Sequence, residues 1–394
     1  MNDNDDKSDK NEKTDNNQNS ESLVNPNETD DEKEKKKIED EKKKIEEEKK
    51  LKEKQEQEDK NNVEVIKTIV KDQEDAFATF HTRKDFLDQI RVFAKEKGIK
   101  NLELVNGNEE QFFIEGENNP ENKVKLRLGT HEFDVQLGKV LKDRVATKYY
   151  IENNKGNIIT VPDGKFSNLQ DNEQNVIITQ IGYSLKAKNI NNEKVIEIDN
   201  MPKNTKEVPK HLPLKISSLK FAFKDFKFEK VLNLDKWDVS NVELMNQMFY
   251  EAKEFNQNIS KWNTRNVKNM LGLFTSAEKF NQPLNSWNVS NVKQMAYMFQ
   301  EATSFNRDLD EWDVSNVVDM EGMFHSARSF NGKIGKWNVN NVEKLSDMFL
   351  YAPNFQQNLS QWRIKKDAIA RVNNIFDSQY RHKSEVLEAW NKNI

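Results

Sequence analysis

The stretch Leu284–Asn306, LNSWNVSNVKQMAYMFQEATSFN, is followed by Leu309–Asn331, LDEWDVSNVVDMEGMFHSARSFN, 25 residues later and in the same register. The unit L-x-x-W-[DN]-[VT]-x-N-V-x-x-[ML]-x-x-[ML]-F-x-x-A-x-x-F-[NQ] recurs five times. Its tryptophans are Trp237, Trp262, Trp287, Trp312, Trp337 and Trp362, and the phenylalanines twelve residues on are Phe249, Phe274, Phe299, Phe324 and Phe349. Repetition at this period predicts stacked units that share one elongated core, because no single unit can bury its own apolar face. Such an array offers a long surface, so binding is the expected function.

Within a unit the pattern predicts one strand and one helix. Val242, Met245, Met248, Phe249 and Ala252 fall at steps of three and four, which is one face of an α-helix. Ser240 stands at the N-cap position, with Glu243 completing a capping box. Asn285-Ser286-Trp287-Asn288-Val289 alternates polar and apolar, as a half-buried strand does. The Trp, Met and Phe columns are read as core packing rather than as a ligand groove. Asn256, Asn281, Asn306 and Asn331 form a further column that can satisfy backbone groups as a ladder.

These residues carry a resemblance. Trp237-Asp238-Val239-Ser240-Asn241-Val242 and Trp287-Asn288-Val289-Ser290-Asn291-Val292, with the M-x-x-M-F-x-x-A-x-x-F-N that follows, resemble the repeat of BspA-like leucine-rich-repeat surface proteins, common in mollicutes and found in listerial surface lipoproteins. Ile216–Phe223 resembles the degenerate unit that opens such arrays. The resemblance covers about 212–364. It implies a surface-exposed adhesion or host-interaction protein, names no ligand and brings no catalytic residues.

Six regions follow along the chain. Residues 1–30 are a disordered acidic tail, and 31–62 a Lys/Glu helical stalk. A two-stranded coiled coil is the alternative for the stalk, although Ile38 and Ile45 supply one apolar seam position per heptad and Leu51 breaks the spacing. Residues 63–170 read as a small α+β domain, opening on an amphipathic helix pair over 63–98 broken near Thr82. Strands are expected at 102–105, 111–114, 123–128, 149–151 and 158–161. Residues 171–211 form a β-hairpin connector, 212–364 the solenoid, and 365–394 a helical cap over its end. The fold class is therefore α+β, with a C-terminal strand–helix repeat solenoid behind a small α+β domain and a charged N-terminal tail.

Charge narrows the partners. The net charge is −5; residues 1–30 hold 3 Lys against 9 acids and residues 31–60 hold 12 Lys against 13, so the rest carries +2. A nearly neutral folded part leaves no footprint for nucleic acid. No run of 18 apolar residues predicts a transmembrane segment. The five histidines share no ligand spacing, there are no cysteines, and neither a phosphate loop nor a nucleophile elbow is present. No enzyme activity, metal or cofactor is expected. Met1–Asp6 has no apolar region of a signal peptide. A polar tail of this kind follows the lipidated Cys of mature lipoproteins, so a lipid anchor on a Cys upstream of this sequence and a cell-surface location are expected. A cytoplasmic scaffold for another protein is the alternative.

Core columns repeat, so exposed positions must distinguish partners. The residues on either side of each Trp point away from it. They give a candidate face for a protein partner, expected to be a host extracellular or surface protein: Lys236, Asp238, Lys261, Asn263, Ser286, Asn288, Glu311, Asp313, Lys336 and Asn338. The Asx members of this face can also be local turn caps.

Overall fold

The computed structural model describes residues 29–73, 77–78, 81–105, 107–141, 143–166, 169, 174–187, 194–370 and 374–392. The tail expected over 1–30 lies outside them except for its last two residues. The architecture is mixed α and β, and by compactness the chain divides into residues 1–58 and 59–394.

Helix α1 spans Asp30–Asp72. Its residues up to 58 are exposed, and Glu and Lys pair along it, as at Lys50–Glu46 (2.9 Å) and Lys43–Glu39 (3.5 Å). Exposed pairs of this kind add a few tenths of a kcal/mol each, about 0.3–0.5, to helix stability. The helix does not stop at the expected boundary of 62. It runs on because Val63, Ile66 and Val70, spaced by three and four, are buried in a core of the second unit.

The second unit begins with that core. Helix α2 (Arg83–Glu96) starts where the break near Thr82 was expected, and Thr82 with Asp85 forms a reciprocal capping box. A short strand, β1 (Phe77–Ala78), precedes it in place of a direct helix–helix turn. α2 and the end of α1 share this core with the antiparallel sheet of β2 (Leu102–Leu104), β4 (Lys123–Leu128) and β5 (His131–Gln136). Val124, Leu126 and Leu128 face inward while Lys123 and Lys125 are exposed. Strand β3 (Gly116–Glu117) pairs with β6 (Lys139–Leu141), which pairs with β1. The strand expected at 111–114 is reduced to a single bridge, Thr82 to Phe112.

The apolar clusters divide between Val140 and Val145, inside the segment read as one 63–170 domain. From Val145 to Trp390 there is one continuous core. Its first part holds two small sheets. One orders β13 (Thr205–Glu207), β10 (Val176–Gln180), β8 (Thr147–Ile151) and β9 (Ile159–Val161); the other orders β12 (Lys194–Ile198), β11 (Tyr183–Ala187) and β7 (Arg144–Val145). The expected hairpin is β11–β12, whereas β10 pairs with β8. A buried carboxylate joins these sheets: Asp199 is held by Arg144 at 2.6 Å and by the Thr147 hydroxyl at 2.8 Å. Both sheets then continue into the repeats through parallel bridges, Glu197 to Ser218 and Glu207 to Leu232.

The repeats do not contain the expected strand–helix pair. Between Ser217 and Ile364 there is no α-helix. Instead, two positions per unit take left-handed φ of 55–59°: Gln247 and Glu251, Gly272 and Ser276, Tyr297 and Glu301, Gly322 and Ser326, Asp347 and Tyr351. An α-helix cannot pass through such residues, and each non-glycine one costs about 1–2 kcal/mol. Backbone bonds to the next unit offset this. Tyr297, Phe299 and Glu301 donate their N–H groups to the carbonyls of Glu321, Met323 and His325 at 2.8, 2.9 and 2.8 Å. The expected strand beside Trp is likewise absent. The β contact lies seven residues after Trp237, Trp262, Trp287, Trp312 and Trp337, as single parallel bridges that start from Ser218 and link Leu244, Asn269, Gln294, Asp319 and Lys344 in turn.

The apolar positions are nevertheless core. Phe249, Phe274, Phe299, Phe324 and Phe349 stack at 5.5–5.6 Å between ring centroids. Each also stacks on the second Phe of its own unit at 3.9–4.1 Å. After Trp362 the helices α3 (Lys366–Ala370) and α4 (Lys383–Lys392) follow. Phe376, Tyr380 and Trp390 extend the columns by stacking on Phe349, Phe355 and Trp362.

Candidate binding surface of the repeat array

The six tryptophans are at most 4% exposed, so they belong to the core and not to a ligand surface. Trp287, Trp312, Trp337 and Trp362 donate their indole N–H to the carbonyl 28 residues earlier, at 2.8–3.2 Å. Trp237 reaches Pro209 in the same way, but the buried Trp262 N–H has no acceptor. The carbonyl 28 residues before Trp262 is that of Leu234, which opens a 3-10 turn over Leu234–Lys236.

All ten Trp-flanking residues, from Lys236 and Asp238 to Lys336 and Asn338, are exposed, as the alternation predicts. Their chemistry is largely local. Asp238, Asn288 and Asp313 accept the N–H two residues ahead at 2.9–3.0 Å, and Asn338 and Asn263 do so at 3.2 and 3.4 Å. These are turn caps. Ser286 donates to the carbonyl of Ser260 at 2.9 Å, and Lys236 to the Asn233 side chain at 3.0 Å. The amide column is a ladder: Asn281, Asn306 and Asn331 each donate N–H to the side-chain oxygen of the Asn one unit earlier, at 2.9–3.0 Å.

A second face lies along the left-handed turns, where the sequence reading placed a helix. Here the array shows rings: Phe221, Tyr250, Tyr297 and His325 are half-buried, and Tyr351 is 59% exposed. The turn geometry presents them. Tyr297 lies over Gly322, where an added Cβ would come within 2.6 Å of the ring. The turn position therefore alternates between a side chain and none, Gln247, Gly272, Tyr297 and Gly322, before Asp347. Two glycines inside an apparent helix are the signal that could have exposed this face in the sequence. The Tyr297 hydroxyl donates to Glu321; burial first and that carboxylate second push its pKa up. The His325 and Tyr351 rings meet edge-on at 5.4 Å.

Among the described residues no group of three His, Cys, Asp or Glu side chains could hold a metal ion, and no helix is long and apolar enough to cross a membrane. Residues 217–327 and 290–390 match the model of a family described as a Mycoplasma protein of unknown function, DUF285. No curated protein and no solved structure matches the chain.

Proposed function

We propose that this chain is a BspA-like leucine-rich-repeat surface protein whose solenoid binds a host extracellular or surface protein, without catalysis. One observation carries the reading. The repeated apolar columns are consumed in a single core, so what remains outside is a rigid surface whose side chains differ from unit to unit. Such a surface loses little conformational freedom on binding. The likeness of residues 217–390 to a Mycoplasma family supports a mollicute-type repeat protein. Many copies at a cell surface would add avidity to modest individual contacts.

The test has two parts. Protease treatment of intact cells should remove the protein, and the purified full chain should retain extracellular matrix or plasma-membrane proteins from host tissue. Resistance on intact cells combined with cleavage after lysis would move the chain to the cytoplasmic scaffold reading.

A further inference from the structure

The rings on the turn face differ in what lies against them. At the start of the array the chain covers its own rings with lysines. Lys224 Nζ sits 5.2 Å from the Tyr250 centroid and 5.9 Å from that of Phe221, and Lys220 Nζ is 5.2 Å from Phe221. An ammonium at such distances is attracted by the negative face of the ring.

In the last three units the neighbours carry the opposite charge. Tyr297 is hydrogen-bonded to Glu321, and Asp319 and Asp347 stand near enough to act on its hydroxyl. The Glu301 N–H donates to the His325 carbonyl at 2.8 Å, but its carboxylate turns back one unit to accept from the Ser276 hydroxyl at 2.7 Å and is not part of this patch, whose rings include the edge-on His325–Tyr351 pair. Within this patch Lys344 neutralises Asp319 at 2.9 Å. Glu321 and Asp347 have no Lys or Arg within 4 Å among the described residues, although Lys344 is near enough to feel Glu321. The same columns thus carry lysines on the rings at one end, where Tyr250 also meets Glu251, and at the other carboxylates without a ring-bound lysine beside the half-buried Tyr297 and the exposed Tyr351.

We propose that the Tyr297–Tyr351 end of the turn face binds a basic segment of a protein partner, a short run of Lys or Arg whose cationic heads lie over the rings and pair with Glu321 and Asp347. Two observations argue for this occupant. Charge complementarity selects a cation and disfavours nucleic acid or an anionic membrane, which would face Glu321 and Asp347 with no basic side chain among the described residues within 4 Å of either. The chain's own Lys224 over Tyr250 shows that the backbone of these turns accommodates a lysine on a ring. Aromatic residues beside charges are also the groups that dominate protein interfaces. The proposal rests on the protein-binding reading above and specifies where the partner docks and by what chemistry.

The experiment uses the full chain and a fluorescein-labelled deca-lysine peptide at physiological salt. Glu321→Gln combined with Asp347→Asn removes two charges from the patch while keeping shape, and Tyr351→Ala removes the exposed ring. Asp238→Asn with Asp313→Asn removes the same charge from the Trp-flanking face and keeps the turn caps. The expected result is at least tenfold weaker binding for the first pair, several-fold weaker binding for Tyr351→Ala, and wild-type binding for the control pair, with unchanged melting throughout. Wild-type binding by the patch variants, or an equal loss in the control pair, overturns the proposal. Host-protein capture by the wild-type chain judges the adhesion reading separately: capture that survives in both patch variants retains that reading and rejects this site.

Discussion

At the scale of single residues, the tryptophan column offers a controlled comparison. Trp312 and Trp262 are 3% and 4% exposed, and each stacks on the Trp of the following unit, at 6.2 and 6.4 Å. They differ in one atom's fate: Trp312 Nε1 donates to Leu284 at 2.8 Å, while Trp262 Nε1 is buried without a partner. A Trp→Phe change removes the same ring area from both, so the cavity terms nearly cancel. Trp312→Phe additionally loses a made hydrogen bond, and Trp262→Phe removes an unsatisfied donor, a difference of roughly 1–3 kcal/mol. Urea denaturation should therefore find Trp312→Phe the more destabilised of the two by about that amount. Equal losses would mean that the Trp262 N–H is satisfied in solution. The columns themselves were legible in the sequence because identity recurred at each step. The orphaned N–H was not, since it depends on the backbone path at Leu234.

Elements were legible unevenly, and the reasons are physical. Strand β4 and the end of α1 were readable because their apolar period matched a buried face. The repeat helix was misread because steps of three and four bury one side of a helix and also one side of a chain of tight turns. Gly272 and Gly322 distinguish the two, since a helix interior disfavours glycine by about 1 kcal/mol relative to alanine. β5 was overlooked although His131–Gln136 alternates in burial. The break expected near Thr82 coincides with the start of α2, and the cap found there carries a pH prediction. Burial pushes the Asp85 carboxyl up, but Lys215 at 2.8 Å and the hydrogen bonds to Thr82 outweigh it and hold its pKa below the ordinary 3.8. A lowered carboxyl pKa contributes stability that is present above the ordinary value and is lost as pH falls through the folded one. Asp85→Asn should cost about 1 kcal/mol at pH 7, and the gap to wild type should close below pH 3.8. A gap that persisted unchanged at low pH would show that the carboxylate's charge is not what Lys215 recognises.

For the whole molecule, the division of labour differs from the order suggested by composition. Segment 144–207 contributes Val145, Tyr149, Val176 and Tyr183 to the same core as the repeats, and both of its sheets run on into the array. It covers the first unit as α4 and Trp390 cover the last, which terminal units of a repeat array require. That junction was not legible beforehand, because single bridges and the Arg144–Asp199 pair bring together residues far apart in sequence. A chain starting at 143 should therefore melt cooperatively and close to the full chain. One starting at 212 exposes Phe223 and Leu219 and should melt far lower or aggregate. Equal melting of the two would make 144–207 a separate domain.

The central claim is that each unit is held by backbone bonds to the next unit, together with tight-turn bonds within itself such as Met298 to Met295 and Ala302 to Phe299, and not by an α-helical ladder. Amide hydrogen exchange resolved by residue across 270–326 tests this most directly. The account predicts slow exchange at Met295, Tyr297, Phe299 and Glu301, shared with Met270, Gly272, Phe274 and Ser276, whose N–H groups reach Gln294, Ala296, Met298 and Gln300. Protection of Ala296, whose N–H donates no backbone hydrogen bond here, equal to that of Tyr297 and Phe299, as in an α-helix, would contradict it.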